Sequence, residues 1–141
     1  MALVVPNTAD VLMLKFIVNQ LKQDGSSGDP SGERLLKLFT NNIVPSKTTV
    51  LGDVTEATQS GYTATTLSGA NWTVSTSTAG TNSAVYTEKV FTFTTAATVY
   101  GYYVTNLGGG ELLWVERFST APFSLPSGGG EIGVTARLTL D

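Results

Sequence analysis

The sequence predicts an all-β protein, an antiparallel β-sandwich or jelly-roll-like barrel with one N-terminal α-helix. Three observations support this class. From residue 33 onward, apolar and polar residues alternate with the period of two that is typical of strands. Turn-forming residues divide this region into about seven or eight short runs, as in sandwiches and barrels. Before residue 24, apolar residues instead recur with the spacing of a helix.

The first predicted element is an amphipathic helix over residues 7–23. Asn7 is a suitable N-cap, and Asp10 follows at the spacing of a capping box. The apolar arc of this helix consists of Val11, Met13, Leu14, Ile17, Val18 and Leu21. Leu12 and Phe16 lie outside the arc, among polar residues. Either another loop of the same domain covers them or they contact another subunit, because a helix apolar on two sides needs two partners.

A linker is predicted over residues 24–32 (DGSSGDPSG), which are rich in turn-forming residues. It separates an N-terminal arm and helix (residues 1–23) from a β-sandwich domain (residues 33–141). Asp24 and Asp29 carry the oxygen ligands that calcium prefers, but the regular ligand spacing of a calcium loop is missing. No metal site is therefore predicted.

The predicted strands occupy the rest of the chain. They fall at residues 33–39, 62–67, 72–76, 90–94, 99–105, 112–118 and 132–140. Residues 132–140 show the clearest alternation and are predicted to form one strand. Residues 105–111 are predicted to be a hairpin loop that pairs the strands on either side. The glycine triplets at 108–110 and 128–130 are interpreted as turns, since strand-like sequence follows them where a phosphate-binding loop requires a helix.

The composition favours binding over catalysis. The 141 residues include no histidine and no cysteine, the side chains most used for acid–base, thiol and soft-metal chemistry near neutral pH. Glu111 and Glu116 lie five positions apart near one hairpin, and paired acids could cleave a glycosidic bond, but a chain with 11 acidic residues offers such pairs by chance. The sequence therefore predicts a non-enzymatic protein without a cofactor.

Charge and hydropathy exclude two classes of partner. The eight Lys and Arg residues are scattered and the net charge is −3, whereas nucleic-acid binders carry a basic patch. No apolar run is long enough to span a membrane, and no targeting signal is recognisable. We expect neither nucleic acid nor membrane as a partner, and synthesis in a cytoplasm.

The run LLWVERF (residues 112–118) is the most apolar predicted strand. Alternation places Leu112, Trp114, Glu116 and Phe118 on one face and Leu113, Val115 and Arg117 on the other. A strand apolar on both faces is covered on both sides, or one face meets a partner. Glu116 and Arg117 either cap the end of a central strand beside a nearby charge or form an intersubunit ion pair.

Aromatic residues at strand spacing allow a different function. They are Tyr62, Trp72, Tyr100, Tyr102, Tyr103 and Trp114. Flat rings on one face of a sandwich would stack against sugar rings, although most aromatic residues at this spacing belong to a core. A carbohydrate-binding module that aids adsorption to a host therefore remains an alternative.

Several motifs together resemble a family of small virion structural proteins from tailed bacteriophages. After the start MALVVPN, they are LKLFTNNIVPS, GYTATTL, NWTV, FTFTT, VYGYYVT, LLWVERF and EIGVTARLTL. The likeness extends over nearly the whole chain. It implies a capsid cement (decoration) protein, or else a minor tail or head-fibre protein, and it supplies no catalytic residues.

A cement protein would bind the major capsid protein in the assembled lattice, on the outer surface of the virion. It would be made in the host bacterial cytoplasm, and it could associate with itself, for example as a homotrimer. The candidate interface residues are Leu12 and Phe16 on the helix, and Trp114, Glu116 and Arg117 on the LLWVERF strand. The helix with its linker is the preferred clamp.

Overall fold

A computed structural model describes residues 7–18, 33–75 and 81–140. Within them lie one α-helix, α1 (Asn7–Ile17), and 11 β-strands. The strands are β1 (Glu33–Phe39), β2 (Thr65–Ser68), β3 (Trp72–Ser75), β4 (Asn82–Tyr86), β5 (Lys89–Phe93), β6 (Ala97–Val99), β7 (Gly101–Asn106), β8 (Leu112–Arg117), β9 (Phe123–Leu125), β10 (Gly130–Val134) and β11 (Arg137–Leu140). The predicted all-β class of sandwich type with one helix is confirmed, and the described sheets do not close into a barrel.

Two compact units divide the chain. The described residues of the first unit come from Met1–Glu33, Leu67–Thr87 and Thr135–Asp141, and those of the second from Arg34–Thr66 and Glu88–Val134. The predicted linker lies within residues 19–32, outside the described residues, so the predicted domain boundaries stay a prediction.

The first unit is a three-stranded sheet, in the order β11-β4-β3, against which α1 packs. Leu14 and Val18 of the helix segment are fully buried. Trp72 and Tyr86, opposite each other on β3 and β4, meet edge to face with ring centroids 5.1 Å apart. The unit is thus built around one helix side and one sheet face, as an amphipathic helix requires.

The helix differs from its prediction in three ways. It ends at Ile17, Val18 is a turn residue, and predicted positions 19–23 lie outside the described residues. Asp10 is buried and accepts a hydrogen bond from Asn82 Nδ2 at 3.3 Å, so this carboxylate joins the helix to β4. The helical spacing predicts that Met13 lies on the buried arc, yet the Met13 side chain is 41% exposed. The buried side is centred on positions 10, 14 and 18, which rotates Met13 outwards.

The second unit holds the sheet on which the candidate site lies. Its strands β1, β7 and β8 follow one another in a four-stranded sheet of order β2-β1-β7-β8, and two strand pairs, β10-β5 and β6-β9, accompany them. β1 and β7 pair from Arg34 opposite Asn106 to Phe39 opposite Gly101. The Tyr62 ring stacks on Phe91 and Phe93, with each pair of centroids 5.7 Å apart.

Two predicted strands are each divided between different sheets. The run 132–140 becomes β10, which pairs with β5, and β11, which pairs with β4. The run 99–105 is interrupted at Tyr100, so that β6 pairs with β9 while β7 pairs with β1 and β8. The alternation of buried side chains continues across the first break. Alternation with a period of two therefore indicates which side chains share a face of a strand, but it does not indicate which strand lies next to it.

The hairpin between β7 and β8 is confirmed, although Thr105 still belongs to β7. The glycine triplets lie between strands as predicted, except that Gly130 is the first residue of β10. Gly109 has φ +71° and Gly129 has φ +78°, a region that glycine enters without penalty. At Gly129 a Cβ would also lie 2.0 Å from the carbonyl oxygen of Phe93, so only glycine fits there. Strands β4 and β9 were not predicted, since the sequence before each is rich in turn residues.

Candidate functional site

Strand β8 is an edge strand. β7 pairs with one side of it, and no described strand pairs with its other side. One of the two alternatives for Glu116 and Arg117 requires a central strand, but among the described strands β7 and not β8 has a strand on each side. In an antiparallel pair, alternate residues turn their N–H and C=O groups away from the partner, so an edge strand offers a row of such groups to another chain.

A β-bulge also changes the faces of β8. Val104 lies opposite Trp114 while Thr105 lies opposite Leu112, so Leu113 is an extra residue in β8. Neighbours on β7 face opposite ways, and residues opposite each other share a face. Leu112 and Trp114 therefore lie on opposite faces, not together as predicted. The bulge turns apolar side chains to both faces of the same open edge.

A loop runs beside β8 along its whole length. The Arg117 Nη1 donates to the Ile43 carbonyl oxygen at 2.8 Å at one end. A cavity of about 480 Å³ lies between the loop and the middle of β8, lined by Pro45, Ser46, Lys47, Thr49 and Leu112 to Val115. A second cavity of about 600 Å³ lies at the other end, lined by residues 49–52 and 110–113. We call the cleft between residues 43–52 and β8 the β8 groove.

Hydrogen bonds within the loop hold the outer wall of the β8 groove in place. Asn41 Nδ2 donates to the Asp53 carbonyl oxygen at 2.7 Å, and Asn41 Oδ1 accepts from the Thr55 N–H at 2.9 Å. The Val50 N–H donates to Asp53 Oδ2 at 2.9 Å, just before a short 3₁₀-helix at Leu51–Asp53. Short polar side chains that bond to nearby backbone are the usual means of fixing such loops. The groove is thus preformed.

The rim of the β8 groove combines apolar side chains with small polar ones and two charges. Val44 is 80% exposed and Val50 is 59% exposed, while residues 112–115 are half-buried. Lys47 is the one charged residue lining the middle cavity, and it has no hydrogen bond or ion pair within the described parts of the chain. Glu111 lies at the far end. Exposed apolar side chains beside an open edge are typical of a surface that binds another protein.

Glu116 and Arg117 have partners within the chain. Glu116 accepts a short hydrogen bond from the Tyr102 hydroxyl directly across the strand pair. Arg117, besides its bond to Ile43, places its guanidinium 5.0 Å from the centre of the Tyr100 ring. The Tyr102 hydroxyl, the Ile43 carbonyl and the Tyr100 ring are all uncharged, whereas the central-strand alternative requires a charged partner. Arg117 thus joins the end of β8 to the loop wall, whereas Glu116 joins β8 to β7. The intersubunit ion pair stays an untested prediction.

A polar cluster that no sequence pattern predicted connects the chain after residues 43–52 to the sheet that contains β1 and β7. The Glu56 carboxylate pairs with Lys37 Nζ at 2.8 Å and accepts hydrogen bonds from the hydroxyls of Tyr62 at 3.3 Å and Tyr103 at 3.4 Å. Lys37 and Tyr103 are direct cross-strand neighbours on β1 and β7. The only signal in the sequence was Lys37 within an apolar strand, because its partner lies 19 positions away.

Burial raises the pKa of both Tyr62 and Tyr103, and the nearby negative charge of Glu56 adds to the shift. The Leu38 N–H donates to the Tyr62 hydroxyl at 3.1 Å and opposes part of that shift. Both hydroxyls therefore stay protonated and act as donors to Glu56. The cluster positions the loop that returns from the groove wall to the sheet.

The other candidate interface residues lie in the first unit. Leu12 is 45% exposed and Phe16 is 37% exposed, on the same side of α1 as Met13. The described chain does not cover this side, but nothing identifies what would. Leu12 and Phe16 thus remain candidates for a contact with another subunit. They belong to a different unit of the chain from the candidate residues on β8.

The aromatic residues do not form one exposed platform. Trp72, Tyr102 and Tyr103 are buried, and Tyr62, Tyr100 and Trp114 are half-buried. Half of these rings therefore belong to the core, and the other three are only partly covered.

Metal and membrane sites were also sought. The described residues include no group of three or more His, Cys, Asp or Glu side chains that could hold a metal ion. Asp24 and Asp29 lie outside those residues. Among the helical residues that the structure describes, none belongs to a helix long and apolar enough to cross a membrane.

Comparisons with known proteins give no relatives. No family model matches the chain, no curated protein is similar to it, and no solved structure resembles it. The resemblance to phage virion proteins therefore stays a prediction.

Proposed function

We propose that this chain is a non-enzymatic capsid cement protein that binds the assembled lattice of a tailed bacteriophage head. The observation that carries the proposal is the β8 groove, a preformed cleft along an open strand edge whose β8 wall is apolar. Such an edge binds other proteins through main-chain hydrogen bonds and side-chain pockets. The resemblance of the sequence motifs to phage virion proteins supports the major capsid protein as the partner.

The acidic side chains support a binding role. Glu56 is engaged by Lys37 and two tyrosine hydroxyls, and Glu116 by Tyr102. Glu111 accepts a hydrogen bond from Asn106 Nδ2 at 3.1 Å. Each of these three acids thus has a structural partner, and none of the three is bonded to a serine, threonine or lysine that it could activate as a nucleophile, apart from the ion pair of Glu56 with Lys37. With no histidine in the chain, these contacts favour adhesion over turnover.

The mechanism would be thermodynamic linkage. A protein that binds the assembled lattice and not the free subunits stabilises the lattice by about 2.7 kcal/mol per site when its concentration is 100 times Kd. Contacts of standard size bury about 1,200–2,000 Å². Repetition over many lattice sites makes the total large. The net charge of −3 suits the outer surface better than the lining of a DNA-filled cavity.

The test is binding of the purified protein to capsid shells of the tailed phage that encodes it. We expect saturable binding to expanded shells and none to unexpanded shells or to dispersed capsid subunits. Imaging of the particles should then place the protein on the outer face of the head. Density on the tail or on a fibre would instead assign the minor tail or head-fibre role, and absence from the virion would reject both.

A second comparison separates the two candidate surfaces. Leu12→Asp with Phe16→Asp changes the exposed side of α1, whereas Val44→Ser with Val50→Ser changes the β8 groove. We expect shell binding to fall in the groove variant. A fall confined to the helix variant would assign the contact to the first unit.

A further inference from the structure

We infer that the β8 groove binds an extended segment of a shell subunit, which pairs as an added strand with the outer edge of β8 and carries an acidic side chain opposite Lys47. This inference rests on the proposed function, because it takes the partner to be a capsid protein. It goes further by stating the conformation and the charge of the bound segment.

The extended conformation of the bound segment follows from the open edge of β8. The outer side of β8 offers main-chain donors and acceptors at the spacing of a strand, and only an extended segment can meet them in series. Side chains of such a segment alternate between two faces. The bulge at Leu113 likewise turns apolar side chains to both faces of β8. An extended apolar segment therefore finds contacts on both of its sides.

The loop wall favours a single segment over a second copy of this chain. Residues 43–52 run beside β8 from Ile43 at Arg117 to Gly52 near Gly110. If two copies paired through their β8 edges, each would bring its own loop into the space that the other strand must enter. The two cavities, about 480 and 600 Å³, have the size of binding clefts, which span about 300–1,000 Å³. A lone strand fits this arrangement.

The expected charge of the bound segment follows from the charged side chains at the rim of the β8 groove. Lys47 is the one charged side chain lining the middle cavity, and its ammonium group meets no carboxylate within the described residues. Glu111 lies at the opposite end and is held by Asn106. A segment with an acidic residue opposite Lys47 would gain a complementary pair, and complementary charges fix register and exclude wrong partners.

A peptide titration tests the inference directly. The chain has two tryptophans, so Trp72→Phe leaves Trp114, which lines the groove, as the only one. The probes are short end-capped peptides that alternate threonine and valine around a central aspartate or a central lysine. We expect the aspartate peptide to change Trp114 emission and to bind about tenfold more tightly than the lysine peptide.

Variants of the rim supply the controls. Lys47→Glu should reverse the preference between the two peptides, and Val44→Ser with Val50→Ser should weaken both. Val90→Ser is the matched control, because Val90 is 52% exposed on β5, which lies outside both residues 43–52 and β8. Equal binding of both peptides by Lys47→Glu and the parent protein would overturn the inference. So would no response up to about 1 mM of either peptide.

Two further outcomes are decisive. Self-association in sedimentation equilibrium that is lost in Val44→Ser with Val50→Ser would show that a second copy occupies the groove, and would overturn the inference. If expanded shells bind the parent protein and the groove variants equally, the inference fails while the cement function stands. If peptides bind in the groove but shells bind no protein, the cement function fails and the peptide site stands.

Discussion

Strands β7 and β8 belong to one hairpin and pair with each other except at the bulge at Leu113, yet they occupy different environments. Five consecutive residues of β7, Gly101 to Thr105, are buried, while no residue of β8 is. Both sequences are apolar. β7 has a strand on each side, and β8 has one only on its inner side among the described strands. Apolar sequence thus fills the core at β7, whereas at β8 it lies at an open edge, which is where we propose that a partner binds.

The largest expected effect comes from Gly101→Ala on β7. A Cβ there would lie 2.1 Å from the Glu116 carbonyl oxygen and 2.6 Å from Phe39 Cε1, so strands β7 and β8 would have to separate. We expect a loss of about 3 kcal/mol or more, measured by chemical denaturation. Gly110→Ala is the matched control in the same hairpin, because its Cβ would meet no atom within 4 Å. Equal losses in both variants would contradict the close approach.

A direct comparison of the two strands uses valine. Val104 of β7 is fully buried and Val115 of β8 is half-buried. Val104→Ala should cost about 2 kcal/mol in unfolding free energy, from lost burial plus a cavity, and Val115→Ala less than about 1 kcal/mol. If Val115→Ala lowered the unfolding free energy as much as Val104→Ala, β8 would be covered in solution. Its edge would then not be open.

Alkaline pH should test the cluster behind the groove. The pKa values of Tyr62 and Tyr103 are raised above the ordinary value of 10.0 by burial. The unfolded chain would ionise at the ordinary value while the native state keeps its protons. Stability from these groups is therefore complete below pH 10 and falls as the pH rises above it.

Denaturation midpoints at increasing pH, with tyrosinate absorbance recorded in parallel, provide the measurement. In the double variant Tyr62→Phe with Tyr103→Phe, the fall above pH 10 should become shallower, whatever the absolute stability. An unchanged fall would assign the alkaline loss to other groups.

A smaller effect is expected at the end of the groove. Arg117→Ala removes the bond to the Ile43 carbonyl and the contact with the Tyr100 ring. We expect a loss of about 1 kcal/mol and faster amide exchange in residues 43–52, since the wall is then held by its internal hydrogen bonds alone. Arg137→Ala on β11 is a control in the other unit. Unchanged exchange in the loop would mean that Arg117 does not fix the wall.

The smallest effect on stability belongs to the rim. Val44→Ser with Val50→Ser changes exposed loop side chains, so the unfolding free energy should stay within about 0.5 kcal/mol of the parent value. Shell binding should nevertheless fall, which would separate function from folding. A large loss of stability would show that these valines pack against part of the chain.

The local pattern of the sequence predicted much of the fold. Alternation located most strands, the hairpin between β7 and β8 was predicted with its loop, and the glycine triplets were assigned to turns. Sheet membership was not predictable, because Val134 and Leu138 continue one alternation while their strands join different sheets. The bulge at Leu113 was also hidden, since an extra residue leaves the composition of a strand unchanged.

The candidate site was predicted in part. The apolar run 112–118 was identified as a surface that needs cover, and Trp114, Glu116 and Arg117 do lie together there. The loop that forms the other wall was not part of the prediction. Its position depends on pairs far apart in sequence, such as Arg117 with Ile43 and Lys37 with Glu56, which no local pattern records.

Hydrogen–deuterium exchange of the protein, free and bound to expanded capsid shells, tests the central claim most directly. If the open edge of β8 is where the shell binds, residues 112–117 and 43–52 should exchange more slowly in the bound state, with little change in buried β7. Slower exchange confined to residues 7–18, with β8 and its loop unaffected, would contradict the claim.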